Sequence, residues 1–217
     1  MAYLMVHLEI ANKIFAQYPH IDDKKAFRIG SIAPDTLGFK PGHKRSDKSL
    51  THFCIGDEGW GYFTNYDEWH DNLINNIIKF FGIVNKDFLL GYISHIITDI
   101  ENSRRFWTPT RLTDDADKIS TWFNDCGEVD SILLSKIENI HEFWAGLDNT
   151  DHHFLPDVCM AEDIIYMVQI MKTEIYSNRY PNPEYTPGIF TMPVALNFIE
   201  DMADKTITII KDLINKC

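Results

Sequence analysis

Residues Gly91–Trp107, GYISHIITDIENSRRFW, place an imidazole and a carboxylate one helical turn apart inside an apolar segment. At 3.6 residues per turn, the stretch 88–102 puts His95 and Asp99 on one stripe of a helix, with isoleucines on the opposite side. This pattern predicts a largely buried helix whose two polar side chains meet at one point in the interior. Two interpretations of the pair stay open: a hydrogen-bonded core pair, or two ligands of a buried divalent metal ion.

The composition of the chain is that of a globular protein. It has 217 residues, of which 45% are hydrophobic and 13% aromatic, so we expect one domain over residues 1–217. The net charge of −12 argues against duplex nucleic acid as a partner, because that partner needs a basic face. Four scattered cysteines without a C-x-x-C pair predict neither a cysteine zinc site nor a disulfide framework.

The N-terminal residues do not resemble a secretory signal peptide. They carry no basic start, and His7, Glu9 and Asn12 interrupt the apolar run. No apolar run reaches the length of a membrane span, so we expect no stable membrane insertion. Together these features favour a cytoplasmic location.

Helical periodicity accounts for most of the chain, and no convincing strand pattern occurs. The predicted helices span about 2–17, 22–32, 67–81, 88–102, 113–124, 128–146, 159–176 and 191–215. A break between two of them is predicted around Cys126 and Gly127, and Ile78 is predicted to face inward. The predicted fold class is all-α, a single-domain helical bundle.

Three further residues are candidates for the site of the central helix, although each has an ordinary structural explanation. His7 falls on the apolar stripe of the first helix, where a core histidine with one hydrogen bond would also fit. Asp35 follows a proline, a position typical of turn residues and helix caps. His52 has no periodicity to indicate its side. With the central pair they make three histidines and two carboxylates, a set able to hold two divalent ions.

These residues resemble the zinc-dependent phospholipase C family, which is related to the single-strand-specific nucleases. The resemblance rests on His7 in the N-terminal helix, a G-x-x-x-P-D turn at 30–35, T-H-F at 51–53, and G-Y-x-x-H-x-x-x-D at 91–99. It covers about the first half of the chain, and residues 111–217 match only as generic helices.

The resemblance implies an all-helical bundle with a metal cluster at its centre, open to a cleft. The implied ligands of one ion are Asp35, His52, His95 and Asp99. His7 and Asp99 would hold a second ion, so that Asp99 bridges, and Asp35 would be the general base. The implied activity is hydrolysis of a small-molecule or lipid phosphoester by metal-activated water. Zinc is the expected divalent ion, with manganese and iron as alternatives.

The sequence departs from the secreted members of the family in two respects. Those members use a processed N-terminal amine as a ligand, whereas this sequence begins with Met1 and we expect no removable signal. The ligands of a third ion are also missing, because His141 has Ala145 rather than glutamate four residues on. We expect one or two ions per chain. Arg104 and Arg105 are either candidate phosphate ligands or solvated arginines at a helix end.

Two alternative functions stay open. The HD phosphohydrolases use a histidine, an adjacent His-Asp pair and a later aspartate. This set would be His52, His70, Asp71 and Asp99, and it leaves His95 unexplained. The second alternative is a helical binding protein whose metal ion is structural, which a closed coordination shell without exchangeable water would indicate.

Overall fold

The chain folds into helices that pack around the central helix predicted from the sequence. A computed structural model describes residues 3–44, 47–54, 61–62, 64–148 and 153–215. The α-helices are α1 (Leu4–Gln17), α2 (Lys24–Gly30), α3 (Lys48–Thr51), α4 (Tyr66–Ile77), α5 (Lys86–Asn102), α6 (Thr108–Arg111), α7 (Ala116–Ser135), α8 (Ile140–Ala145), α9 (Ala161–Ile170) and α10 (Met192–Ile214). Shorter helical turns cover Ala33–Gly38, Ile78–Phe80, Ser103–Trp107 and Met171–Ile175. The described residues contain no strand, only one isolated bridge, so the all-α fold class is confirmed.

Helix α5 is buried on every side. All its residues from Asp87 to Asn102 are buried, as the apolar periodicity predicts. The side chain of Asn85 caps its start by accepting from two backbone N–H groups. At the other end, a π-helical turn and α6 continue the helical backbone to Arg111. A helix in this position carries its polar side chains into the interior of the molecule.

Two glycines bring α2 and α5 into direct backbone contact. A Cβ on Gly30 would lie 2.0 Å from the carbonyl oxygen of Phe88, and a Cβ on Gly91 would lie 2.0 Å from that of Phe27. Neither position therefore accepts a side chain unless the helices move apart. Gly30 begins the G-x-x-x-P-D motif and Gly91 begins the G-Y-x-x-H-x-x-x-D motif. The close contact of α2 with α5 at these glycines brings the turn after α2 against the part of α5 that carries His95.

Three predictions about the helices are wrong. The helix predicted over 128–146 is not continuous, because α7 ends at Ser135 and α8 begins only at Ile140. The break predicted at Cys126 and Gly127 does not occur, because α7 runs through both residues. A glycine inside a helix costs only about 1 kcal/mol relative to alanine, and here it leaves room for Arg179, whose Nη2 donates to the Gly127 carbonyl at 2.9 Å. Ile78, predicted to face inward, is 38% exposed, because α4 ends at Ile77 and a 3-10 turn follows.

The second half of the chain shares a hydrophobic core with the first. The core includes residues from Leu4 in α1 to Leu213 in α10, and α1 packs against both α7 and α10. Thr191 caps α10 and Pro193 lies in its first turn. Among the residues that the structure describes, none of the helices combines the length and the apolar character that crossing a bilayer requires.

Candidate metal centre

Four of the five predicted ligands converge in the interior of the molecule. Each of the four offers one atom that could bind a metal ion, and these atoms lie within 4.8 Å of one another; the residues are Asp35, His52, His95 and Asp99. Asp35 lies in the 3-10 turn after α2, His52 directly follows α3, and the other two project from α5. The side chain of Asp35 is 18% exposed, whereas those of the other three are at most 1% exposed. The group is therefore buried and reaches solvent on the side of Asp35.

The two imidazoles of this group present lone pairs to its centre. Nδ1 of His52 lies 2.7 Å from the backbone carbonyl of Lys48, and Nδ1 of His95 lies 2.8 Å from that of Ser31. A carbonyl only accepts hydrogen bonds, so each Nδ1 carries the ring hydrogen and donates it. In the neutral ring of each, the lone pair is then on Nε2, which is the arrangement of histidines that bind metal ions.

The acceptor atoms have the spacing that a tetrahedral ion requires. The two Nε2 atoms are 3.2 Å apart. Carboxylate oxygens of Asp99 and Asp35 lie 3.4 and 3.5 Å from Nε2 of His52, and 3.7 and 3.6 Å from Nε2 of His95. Ligand atoms about 2.0–2.1 Å from zinc would be about 3.4 Å from one another at the corners of a tetrahedron. Because four facing acceptors repel one another, the residues present fit a divalent cation.

Asp99 also reaches His7, the fifth predicted ligand. Nε2 of His7 is 3.5 Å from Oδ1 of Asp99, while Oδ2 faces His52. The His7 ring stacks on that of His95, with 3.8 Å between ring centroids. Within the described part of the chain, neither ring nitrogen of His7 has a hydrogen-bond partner, although the residue is only 2% exposed. The two oxygens of Asp99 thus face different histidines, as those of a bridging carboxylate would.

Burial and charge keep these side chains in the protonation states of metal ligands. Burial, together with a neighbouring histidine, lowers the pKa of His7 to about 4, so its ring is neutral at pH 7. Burial by itself would raise the pKa of Asp99, but the imidazoles of His52 and His7 hold it well below its ordinary value. Burial also opposes ionisation of Asp35, yet Lys48 and two histidines hold its pKa well below the usual range.

A second layer of hydrogen bonds fixes the backbone around His52. Nε1 of Trp69 donates to the His52 carbonyl at 2.7 Å, and the hydroxyl of Tyr92 donates to the carbonyl of Thr51. Phe53 has a φ of 53°, uncommon for an aromatic residue, and Asn72 donates to its carbonyl at 2.7 Å. Trp69 and Asn72 could not be predicted as part of the site, because a hydrogen bond to a backbone carbonyl leaves no pattern in the sequence.

The comparison with known families agrees with this geometry. A family model described as zinc dependent phospholipase C matches residues 6–100, a segment that contains all five predicted ligands. Over this segment the chain is similar to that family. No curated protein and no solved structure gives a significant match to the chain. The family match and the buried histidine and aspartate group together support a metal-dependent hydrolase that uses a divalent ion, with zinc favoured.

The other candidate residues lie outside this group of histidines and aspartates. His70 and Asp71 lie in α4, and neither belongs to the group of four. Arg104 and Arg105 donate to carboxylates on α4, α5 and α10 and do not line the cavity beside Asp35. The geometry therefore favours the ligand set of the zinc-dependent phospholipase C family over the HD set.

A cavity of about 330 Å³ opens beside Asp35. Lys48 stands at the boundary, where its Nζ pairs with Oδ1 of Asp35. Much of the remaining wall is apolar or aromatic and includes Leu4, Phe39, Phe123, Met171, Ile175 and Tyr176. Of these six wall residues, only Phe39 lies within the segment 6–100 that matches the family model; Leu4 precedes it and the other four follow it. The second half of the chain thus builds part of the site.

Proposed function

We propose that the protein is a metal-dependent hydrolase of a phosphoester. The proposal is carried by one observation: possible ligand atoms of four side chains, three of them buried, lie within 4.8 Å of one another. The proposed ligands of the first ion are Asp35, His52, His95 and Asp99. His7 and Asp99 would hold a second ion, so each chain takes one or two. Zinc is the favoured ion, and manganese and iron accept the same ligands.

Each side chain of the centre then has a role in the reaction. A divalent ion bound there would lower the pKa of a water molecule and polarise a phosphoryl oxygen. Asp35 is the ligand at the edge of the cavity, and its ionised carboxylate accepts a proton from the attacking water. The two oxygens of Asp99 lie next to His7 and His52 respectively, so Asp99 would offer a ligand atom on either side. The backbone carbonyl of Lys48 accepts from Nδ1 of His52 and so favours the tautomer whose Nε2 can bind a metal ion.

The cavity beside Asp35 is the proposed substrate site. Its apolar and aromatic walls, together with Lys48, suit a small-molecule or lipid phosphoester. Because α1, α7 and the turn after α9 all line it, we propose that residues 1–217 act as one domain. The net charge of −12 supports a small substrate rather than duplex nucleic acid.

Elemental analysis with a turnover assay tests this function. Protein purified without added metal should contain about one to two ions per chain and hydrolyse a chromogenic phosphodiester. Asp99→Asn and His95→Ala should each lose metal and turnover, whereas the control His70→Ala, in α4 outside the centre, should keep both. Circular dichroism of each variant verifies the fold.

Two outcomes would contradict the proposal in different ways. A protein that never binds metal, even when zinc, manganese or iron is added, would remove the basis of the site. A protein that binds metal but hydrolyses no phosphoester with any of the three would instead indicate a structural ion in a binding protein.

A further inference from the structure

Lys48 lies between the metal centre and the cavity, and three contacts define its position. Its Nζ pairs with Asp35, and its backbone carbonyl accepts from Nδ1 of His52 at 2.7 Å. Its stem passes over Gly38, where a Cβ would lie 3.3 Å from Cδ of the lysine. The side chain is 12% exposed, so the ammonium group is largely buried where a substrate would enter.

The charge balance makes Lys48 the group that attracts an anion. The carboxylates of Asp35 and Asp99 together neutralise one divalent ion, so a loaded centre keeps the positive charge of Lys48. Arg179 also lines the cavity, but its Nη1 lies 3.6 Å from the buried carboxylate of Asp130, and its Nε and Nη2 donate to α7. An anionic group that enters the cavity is therefore drawn to the end nearest the metal centre.

Much of the cavity wall is apolar. Phe39, Phe123, Met171 and Ile175 contribute to it. A volume of about 330 Å³ lies near the lower end of the range of about 300–1,000 Å³ for ligand pockets. Space of this size and character suits a compact ring or branched alkyl group rather than two long chains.

We propose that Nζ of Lys48 binds a non-bridging oxygen of the substrate's phosphoryl group, and that the cavity holds a compact apolar group esterified to it. The inference rests on the proposed function and names the substrate class for it: a phosphoester of a compact apolar alcohol or a phenol. Arg104 and Arg105, which the sequence suggested as phosphate ligands, have no part in this site, because carboxylates elsewhere engage them.

Phosphonates test this inference, because they carry the phosphoryl group without a bond that the enzyme would hydrolyse. In calorimetric titrations of the zinc-loaded protein, phenylphosphonate should bind at least about tenfold more tightly than methylphosphonate. Lys48→Met keeps most of the aliphatic stem of the side chain. It should weaken the binding of both phosphonates at least about tenfold, with the zinc content unchanged. Lys48→Arg should restore most of the affinity. Lys136→Met, the same replacement at an exposed position after α7, should change neither affinity.

A second variant tests the apolar wall. Ile175 lines the cavity and is 36% exposed, so Ile175→Ser should be tolerated by the fold. This variant should bind phenylphosphonate about threefold or more less tightly than the wild type does, and its affinity for methylphosphonate should be unchanged.

The outcomes separate this inference from the proposed function. Equal affinities of the wild type and Lys48→Met would overturn the role of Lys48, and equal affinities of the wild type for the two phosphonates would overturn the apolar subsite. Phosphonate binding as expected in a protein without turnover would contradict the hydrolase proposal alone. Turnover without any phosphonate binding would overturn the inference and leave the hydrolase standing.

Discussion

Replacement of Gly91 by alanine should separate α2 from α5 and misplace His95. A Cβ at this position would lie 2.0 Å from the carbonyl oxygen of Phe27, whereas nonbonded atoms of this kind need about 3 Å or more. The helices must therefore move apart by at least about 1 Å. A shift of that size stretches the 2.8 Å contact between Nδ1 of His95 and the Ser31 carbonyl beyond the usual hydrogen-bond range.

The free energy of unfolding of this variant should fall by about 1–3 kcal/mol. Overpacking costs about 1–3 kcal/mol, and the lost hydrogen bond costs about 1 kcal/mol. The gain from replacing a helical glycine by alanine is at most about 1 kcal/mol, and taken alone it would predict stabilisation. The affinity for zinc should fall by about 10–100-fold, because the lost bond orients a ligand.

Urea denaturation and zinc competition against a chromophoric chelator measure the two effects of Gly91→Ala. The matched control is Gly127→Ala inside α7, where the nearest atom to a new Cβ is Nη2 of Arg179 at 2.9 Å. That atom ends a flexible side chain and can move, so the control should stay within about 1 kcal/mol of the wild type. A Gly91→Ala protein with the stability and zinc affinity of the wild type would refute the argument from helix contact.

Three further variants test the protonation state and the supporting hydrogen bonds. In metal-free protein, His7 has a pKa of about 4 in the fold against 6.5 in the unfolded chain, so between these values the unfolded chain takes up a proton and the fold does not. Urea titrations should therefore show that the free energy of unfolding falls by about 3 kcal/mol as the pH falls from 6.5 to 4. The variant His7→Gln should lack this loss. Tyr176→Phe removes the hydroxyl that donates to buried Asp130 at 2.6 Å, and should lower the free energy of unfolding by about 1–3 kcal/mol in urea titrations. Trp69→Phe keeps the apolar bulk but removes the donor to the His52 carbonyl, so chelator competition should show about tenfold weaker zinc binding.

The positions of the helices follow mainly from local sequence, with exceptions that have a tertiary cause. The period of 3.6 residues predicts α5 and the meeting of His95 with Asp99, because both depend only on neighbours along one helix. The same reasoning fails at Gly127, where it predicts a break. There the contact with Arg179, distant in sequence, accompanies an uninterrupted helix.

The sequence by itself determined the all-α class, the central helix and, through family resemblance, the five candidate ligands. Only the tertiary structure decided that Asp35 and His52 meet the pair on α5, and that Lys48 rather than Arg104 stands beside them. It also decided that the second half of the chain supplies walls of the cavity. The physical reason is one of range: periodicity records which face of a helix is apolar, whereas the meeting of distant side chains depends on how closely helices pack.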